Sequence, residues 1–249
     1  MKNPIRNLMA FALCLMAVSL TACTTTTEAP GGPTPVDNNG YMQLRDPLTV
    51  QGALQGEPSD ARNFMIVLDG SGSMAGSPIE QAKQALHAYV DQLPKDREIN
   101  LGLVVFDGSG IRTAVELGSA ASKNRSQFLE QVDSVQAGGS TPLANAMNEG
   151  TDSLLKQAQR QLNYGDYRMI VVTDGAPDPG QDLDAACSAA ASYGFGIYTI
   201  GFNIDDGHPL KNWATSYETA DSAESLATKL QNTLAEPDKY VAPTYSPTK

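Results

Sequence analysis

The chain has 249 residues, 41% of them hydrophobic, and a formal net charge of −11. Its length and apolar content suit one α/β domain with a tail or linker and argue against global disorder. So acidic a surface repels phosphate backbones and anionic headgroups, which excludes nucleic acid as an expected partner and leaves a lipid anchor as the only expected route to a membrane.

Lys2 and Arg6 give the amino terminus a basic start, and Leu8 to Leu20 is an apolar run of 13 residues. A bilayer-spanning helix needs roughly 20 residues, so the run is too short to span and fits the apolar part of a secretory signal. The Leu20-Thr21-Ala22-Cys23 that closes it resembles the bacterial lipobox. That resemblance implies a signal peptide over residues 1–22, cleavage before Cys23 and acylation of Cys23. Each buried CH₂ of an acyl chain contributes about 0.8 kcal/mol, so several chains on one residue anchor stably. Thr24 stands where aspartate would resemble an inner-membrane retention signal. The expected location is therefore a bacterial cell envelope, lipid-anchored, on the outer membrane if the source has two membranes. Residues 23–59 hold the lipidation cysteine and a stretch rich in Thr, Pro, Gly and Asn that cannot bury enough surface to fold alone. As a flexible tether, residues 24–59 would hold the domain roughly 35 Å from the lipid on average. With Cys14 and Cys23 assigned to the leader and the anchor, Cys187 stands alone, and no disulfide framework is expected.

From about residue 60 to 235, strand and helix signals alternate. Phe64 to Leu68 is an apolar run ending at Asp69-Gly70, as in a buried parallel strand. Ser77-Pro78-Ile79-Glu80 predicts a helix start with Ser77 as cap, Pro78 in the first helical position and Glu80 completing a capping box. Ile79, Ala82, Leu86, Val90 and Leu93 form its apolar face. Ile99 to Phe106 is the next strand, and Ile111 to Leu117, after a short turn, is an antiparallel one. A helix over Arg125–Val135 turns Phe128, Leu129 and Val132 inward. Thr141-Pro142 predicts another capped helix, with Leu143, Met147, Leu154, Ala158 and Leu162 as its stripe. Met169 to Thr173 is a fourth strand, Leu183–Tyr193 a helix, Gly196–Phe202 a fifth strand, Tyr217–Thr219 a short sixth, and Ser222–Leu234 a closing helix. Residues 236–249, with Pro237, Pro243 and Pro247, read as a loose tail. The alternation predicts a doubly wound, mostly parallel sheet with helices on both faces and one antiparallel edge strand. Ligands of such folds sit beyond the carboxyl ends of the strands, which brings Asp69 and Asp174 together.

Three segments at those strand ends share one chemistry. Asp69-Gly70-Ser71-Gly72-Ser73 has the D-x-S-x-S pattern, Gly139-Ser140-Thr141-Pro142-Leu143 carries a further hydroxyl, and Val171-Val172-Thr173-Asp174-Gly175 a further carboxylate. In this order and spacing they resemble the metal-ion-dependent adhesion site of the von Willebrand factor type A domain, and the resemblance covers essentially the whole folded region. Carboxylate and hydroxyl oxygens are hard ligands, suited to Mg²⁺ or Ca²⁺ and tolerable for Mn²⁺. Asp69, Ser71, Ser73, Thr141 and Asp174 are thus the candidate ligands of a divalent cation, Mg²⁺ first among them. Two carboxylates bring such an ion to about zero net charge, and a coordination position filled only by water leaves it electrophilic. The resemblance implies direct binding by Ser71 and Ser73, and exchange between direct and water-mediated contact for the others. It also implies a protein partner whose Asp or Glu replaces the water, and a shift of the Thr141 loop and closing helix between affinity states.

Taken one at a time, these residues have plainer roles: Asp69 and Asp174 as turn residues, Ser73, Ser77 and Thr141 as helix caps, Asp107 and Asp178 as turn residues rimming the site. His87, His208, Trp213 and Cys187 read as surface or packing residues. An EF-hand is rejected because Met74 occupies the position of its required glycine and a buried strand precedes the loop. The expected activity is partner binding and not catalysis. The alternatives are a metal-assisted hydrolase, for which no motif places a general base, and a structural lipoprotein stabilised by its metal.

Overall fold

The computed structural model describes residues 56–94, 98–121, 123–202 and 208–234. The expected leader, the expected lipidation site Cys23, the expected tether up to residue 55 and the expected tail 236–249 lie outside them. Six strands, β1 (Arg62–Asp69), β2 (Ile99–Asp107), β3 (Gly110–Ser119), β4 (Asp166–Thr173), β5 (Gly196–Phe202) and β6 (Ser216–Ala220), form one sheet in the order β3-β2-β1-β4-β5-β6. All neighbours are parallel except β2 and β3. This is the expected α/β architecture with an antiparallel edge.

The four inner strands, β1, β2, β4 and β5, bury both faces, and alternation divides their side chains between two layers. Phe64, Ile66 and Leu68 point into the layer covered by α1 (Ser77–Asp91), α2 (Lys123–Ser134) and α5 (Ala223–Asn232), where they meet Leu86, Val90, Phe128, Val132, Leu226 and Leu230. Met65 and Val67 point into the opposite layer under α3 (Leu143–Arg160) and α4 (Leu183–Ser192), against Met147, Leu154 and Cys187. Each large side chain buried in these layers contributes about 1.5–3 kcal/mol relative to exposure. The chain leaves β1 towards β2 and β3, then returns to place β4 on the other side of β1. The order therefore reverses at β1 and β4, and the crevice beyond their carboxyl ends is where such folds bind ligands.

Two helix starts differ from expectation. Ser77 is the first residue of α1, and Gly76, at φ 84°, is the cap residue; no side chain caps the helix, and Ser77 Oγ accepts from Gln81 Nε2. Glu80 pairs with Lys83 at 3.3 Å and closes no capping box. The left-handed turn at Gly76 starts the helix one residue early, which moves Ser77 out of the capping position. Helix α3 begins after Pro142, and Thr141 does not cap it with its side chain. Leu162, expected on the α3 stripe, lies past the helix end in left-handed backbone, at φ 52°.

Two arginines, Arg168 buried and Arg62 half-buried, close the fold at the amino ends of the strands. Arg168 is 2% exposed, pairs with Asp166 at 2.5 Å, donates to the Thr233 carbonyl, and lies over the rings of Phe64 and Tyr198 at 5.8 and 5.3 Å. Arg62 Nη1 donates to Leu234 O at 2.8 Å, so two arginines hold the last carbonyls after α5. At the same end Glu57 N–H donates to Arg160 O, the end of α3, at 3.1 Å.

Candidate metal centre

Strand β1 delivers Asp69 fully buried at its carboxyl end. Gly70 follows because nothing larger fits: a Cβ there would stand 2.9 Å from Val135 Cγ1 and 3.0 Å from Phe106 O. The chain then turns through Ser71 into a short 3₁₀ turn, Gly72–Met74. Three backbone hydrogen bonds fasten this loop to its neighbours: Gly70 N–H to Phe106 O (2.8 Å), Gly138 N–H to Gly70 O (2.8 Å) and Gly72 N–H to Gly139 O (3.1 Å). Gly139 makes the last one possible, since it stands at φ 82°, a conformation that is costly for other residues.

Four of the five candidate ligands form one hydrogen-bonded chain. Asp69 Oδ1 accepts from Ser71 N–H at 2.7 Å, Ser71 Oγ is 2.9 Å from Ser73 Oγ, and Ser73 Oγ donates to Asp174 Oδ1 at 2.8 Å. The fifth, Thr141, lies on the loop strapped to Gly72. Its N–H donates to Asp178 Oδ1 at 3.0 Å and its carbonyl accepts from Asp178 N–H at 3.0 Å, while its hydroxyl has no hydrogen-bond partner among the described residues. Asp178 thus joins the Thr141 loop to the loop after β4.

Thr173, not singled out from the sequence, completes the set. Its Oγ1 donates to Asp69 Oδ2 at 2.6 Å, which leaves both Asp69 oxygens engaged by neutral donors. The signal available for it was a hydroxyl closing the apolar run Met169–Val172. Burial pushes the Asp69 carboxyl above its ordinary value; the hydrogen bonds from Thr173 and Ser71 counter this, and the Asp174 charge adds to it. No lysine or arginine pairs with Asp69 or Asp174 among the described residues.

This donor set fits a small hard cation. Oxygens sharing an edge of an octahedron with bonds of roughly 2.0–2.1 Å stand about 2.9 Å apart. The Ser71–Ser73 and Ser73–Asp174 oxygen separations, 2.9 and 2.8 Å, match that edge. Hydrogen bonds therefore already space these oxygens as ligands would be spaced. Among the described residues no three His, Cys, Asp or Glu side chains gather as a metal site, here or elsewhere; the set here is two carboxylates with hydroxyls.

Asp107, at the end of β2, has the turn role expected of it: its Oδ1 accepts from Ser109 N–H and from Arg112 Nη1, both at 2.8 Å. His87 pairs with Asp133 at the surface, and Trp213 donates to Asp184. Cys187 is buried, and burial pushes its thiol up to about 12, which leaves no thiolate nucleophile. His208 is buried as a packing residue should be, but it also reaches the site: Nε2 lies 3.0 Å from Gly175 O, beside Asp174. No sequence signal marked it.

Comparison with known proteins agrees with this architecture. The family model of the von Willebrand factor type A domain matches residues 63–234. Mouse inter alpha-trypsin inhibitor, heavy chain 4, is 26% identical over 206 residues, covering 76% of this chain and 22% of that protein. An uncharacterized protein of Synechocystis is 26% identical over 161 residues, 62% of this chain and 36% of its own length. The chain thus spans well under half the length of these relatives. Among solved structures, a von Willebrand factor type A protein from Catenulispora acidiphila superposes with a TM-score of 0.60 at 19% identity, over 70% of this chain and 42% of that one. Proximal thread matrix protein 1 from the mussel byssus, described with a zinc-occupied MIDAS motif, gives 0.55 at 17% identity, over 72% and 48%. At these identities the structures support the fold alone.

Proposed function

The chain belongs to the von Willebrand factor type A domain family, and on that premise we propose that it is a lipid-anchored binding module of a bacterial cell envelope that grips a protein partner through a divalent cation. Domains of this family commonly mediate protein–protein contact and commonly bind a divalent metal. The observation that carries the reading is the chain of oxygens from Asp69 through Ser71 and Ser73 to Asp174, closed around a buried carboxylate that no cationic side chain meets among the described residues.

Asp69, Ser71, Ser73, Thr141 and Asp174 are the residues that would hold the ion, with Mg²⁺ the first choice. Bound there, the cation supplies an electrophilic centre for a partner's Asp or Glu. The protein's own share is geometric. Thr173 and the Ser71 amide orient Asp69, the Gly139–Gly72 and Gly138–Gly70 bonds fix the loops, and the Thr141 hydroxyl, which meets no partner among the described residues, is available to a ligand. A hydrolase is disfavoured because the hydroxyls of the cluster pair with one another and with Asp69 and Asp174, the same carboxylates that would hold the ion, which leaves no separate base for them. Anchoring through Cys23 rests on the resemblance of residues 20–23 to a lipobox.

Affinity capture from envelope extract with the full chain tests this. Partner recovery should depend on Mg²⁺, fall at least tenfold with chelator, and be absent for Asp69→Ala. Equal recovery under all three conditions would defeat it. Radiolabelled palmitate incorporation that survives Cys23→Ser would remove the anchor.

A further inference from the structure

We propose that His208 is a positioning residue for this metal site: its Nε2–H, acting through the Gly175 carbonyl, fixes where the Asp174 carboxylate stands. The inference rests on the metal reading above and extends it to a residue outside the ligand set.

The tautomer follows from the partners. Leu210 N–H can only donate, and it lies 3.2 Å from His208 Nδ1, so Nδ1 accepts. A neutral imidazole then carries its proton on Nε2, which is 3.0 Å from Gly175 O. The other donor near that carbonyl is Thr173 Oγ1 at 3.3 Å, but a hydroxyl has one proton, and Asp69 Oδ2 at 2.6 Å takes it. Gly175 N–H in turn points at Thr173 Oγ1 at 3.3 Å. The residue after Asp174 is therefore held at both of its backbone polar groups, by Thr173 on one side and His208 on the other.

The imidazole is itself held. His208 is 6% exposed, its ring stacks on Tyr217 at 6.5 Å, and Leu210, whose amide it caps, is fully buried. A metal ligand is useful only if its oxygen stays within tenths of an ångström of its place, and outer partners that orient ligands typically carry 10- to 100-fold in affinity. Acting through a backbone carbonyl, His208 belongs at the low end of that range.

Two substitutions separate its two hydrogen bonds. His208→Gln puts an amide nitrogen near the place of Nε2, keeping a donor for Gly175 O and losing the Leu210 cap. His208→Asn puts a carbonyl oxygen near the place of Nδ1, keeping the cap and losing the donor. Titration of the full chain with Mg²⁺ by calorimetry should show the Kd weakened about tenfold by His208→Asn and less than about threefold by His208→Gln. Thermal midpoints in chelator should fall for both. In the unsubstituted protein, the long-range ¹H–¹⁵N histidine spectrum should show the Nε2–H tautomer before any metal is added. Equal Kd values for the two variants, or an Nδ1–H tautomer, would overturn the proposal. An unsubstituted protein that binds no Mg²⁺ would remove the metal reading and this inference with it; one that binds while His208→Asn binds equally would remove the positioning role alone.

Discussion

At the amino ends of the strands Arg168 is nearly fully buried, and its charge is met within the chain by Asp166, by the Thr233 carbonyl and by the faces of Phe64 and Tyr198. At the carboxyl ends Asp69 is fully buried, yet among the described residues an amide and a hydroxyl are the donors that meet it, and the charge that acts on it is another carboxylate, Asp174. A buried ion with its counter-charge nearby is part of the scaffold. One left with neutral donors carries a charge that a cation would neutralise, and that contrast separates the structural pole from the proposed binding pole.

The largest expected effect lies at the structural pole. Arg168→Ala should lower unfolding free energy by about 3 kcal/mol, read as a shifted urea midpoint, because it strips a buried charge from its partners. Mg²⁺ affinity should stay within about twofold; a large loss of metal binding with little loss of stability would erase the contrast. Asp69→Asn should do the reverse. In chelator it should leave stability unchanged or raise it by up to about 1 kcal/mol, since the amide need not be ionised in the core. The pH sign follows. Asp69 titrates above its ordinary 3.8 when folded, so its contribution is full below that value and is lost as pH rises through the raised one; the Asn variant should lack this decline. A variant much less stable than its parent would show the Asp69 charge already compensated.

The smallest effect belongs to Asp107. Burial pushes its carboxyl up, but Arg112 and Ser109 more than offset that and hold it below 3.8. Its contribution is therefore present above that value and is lost as pH falls through the folded one. Arg112→Ala should flatten the acid limb of a stability–pH curve, by less than about 1 kcal/mol because Arg112 is a third exposed. Asp69 and Asp107 close neighbouring parallel strands with the same Asp-Gly signature and titrate in opposite directions, so an identical slope for both would show that the arginine makes no difference.

That pair also shows what could be read in advance. Apolar runs placed the strands, because burial on both faces leaves a continuous signal, and the alternation of elements placed the sheet. The D-x-S-x-S spacing carried three residues of the cluster and the strand-end position of Asp174 a fourth, because their geometry is local or set by strand ends. The remainder depends on contacts between distant segments. Thr173 matters through Asp69, 104 residues away, and His208 through Gly175, 33 residues away. The cap expected at Thr141 gave way to Gln181, from another loop, whose Oε1 accepts from Asn145 N–H in the first turn of α3, and the one expected at Ser77 to a left-handed Gly76. Strand β4 starts at Asp166, three residues before its apolar run, because the charge of Arg168 is neutralised by groups that only the finished fold brings to it.

The described segment enters beside the end of α3, at Glu57, and leaves beside Arg62, at Leu234, both at the arginine pole. Whatever is spliced to either end pulls on the side of the domain farthest from Asp69. A load applied between such an attachment and a gripped partner would run lengthwise along the parallel strands, so β1 and β4 would resist it by shear along their whole ladder of hydrogen bonds instead of unzipping one at a time.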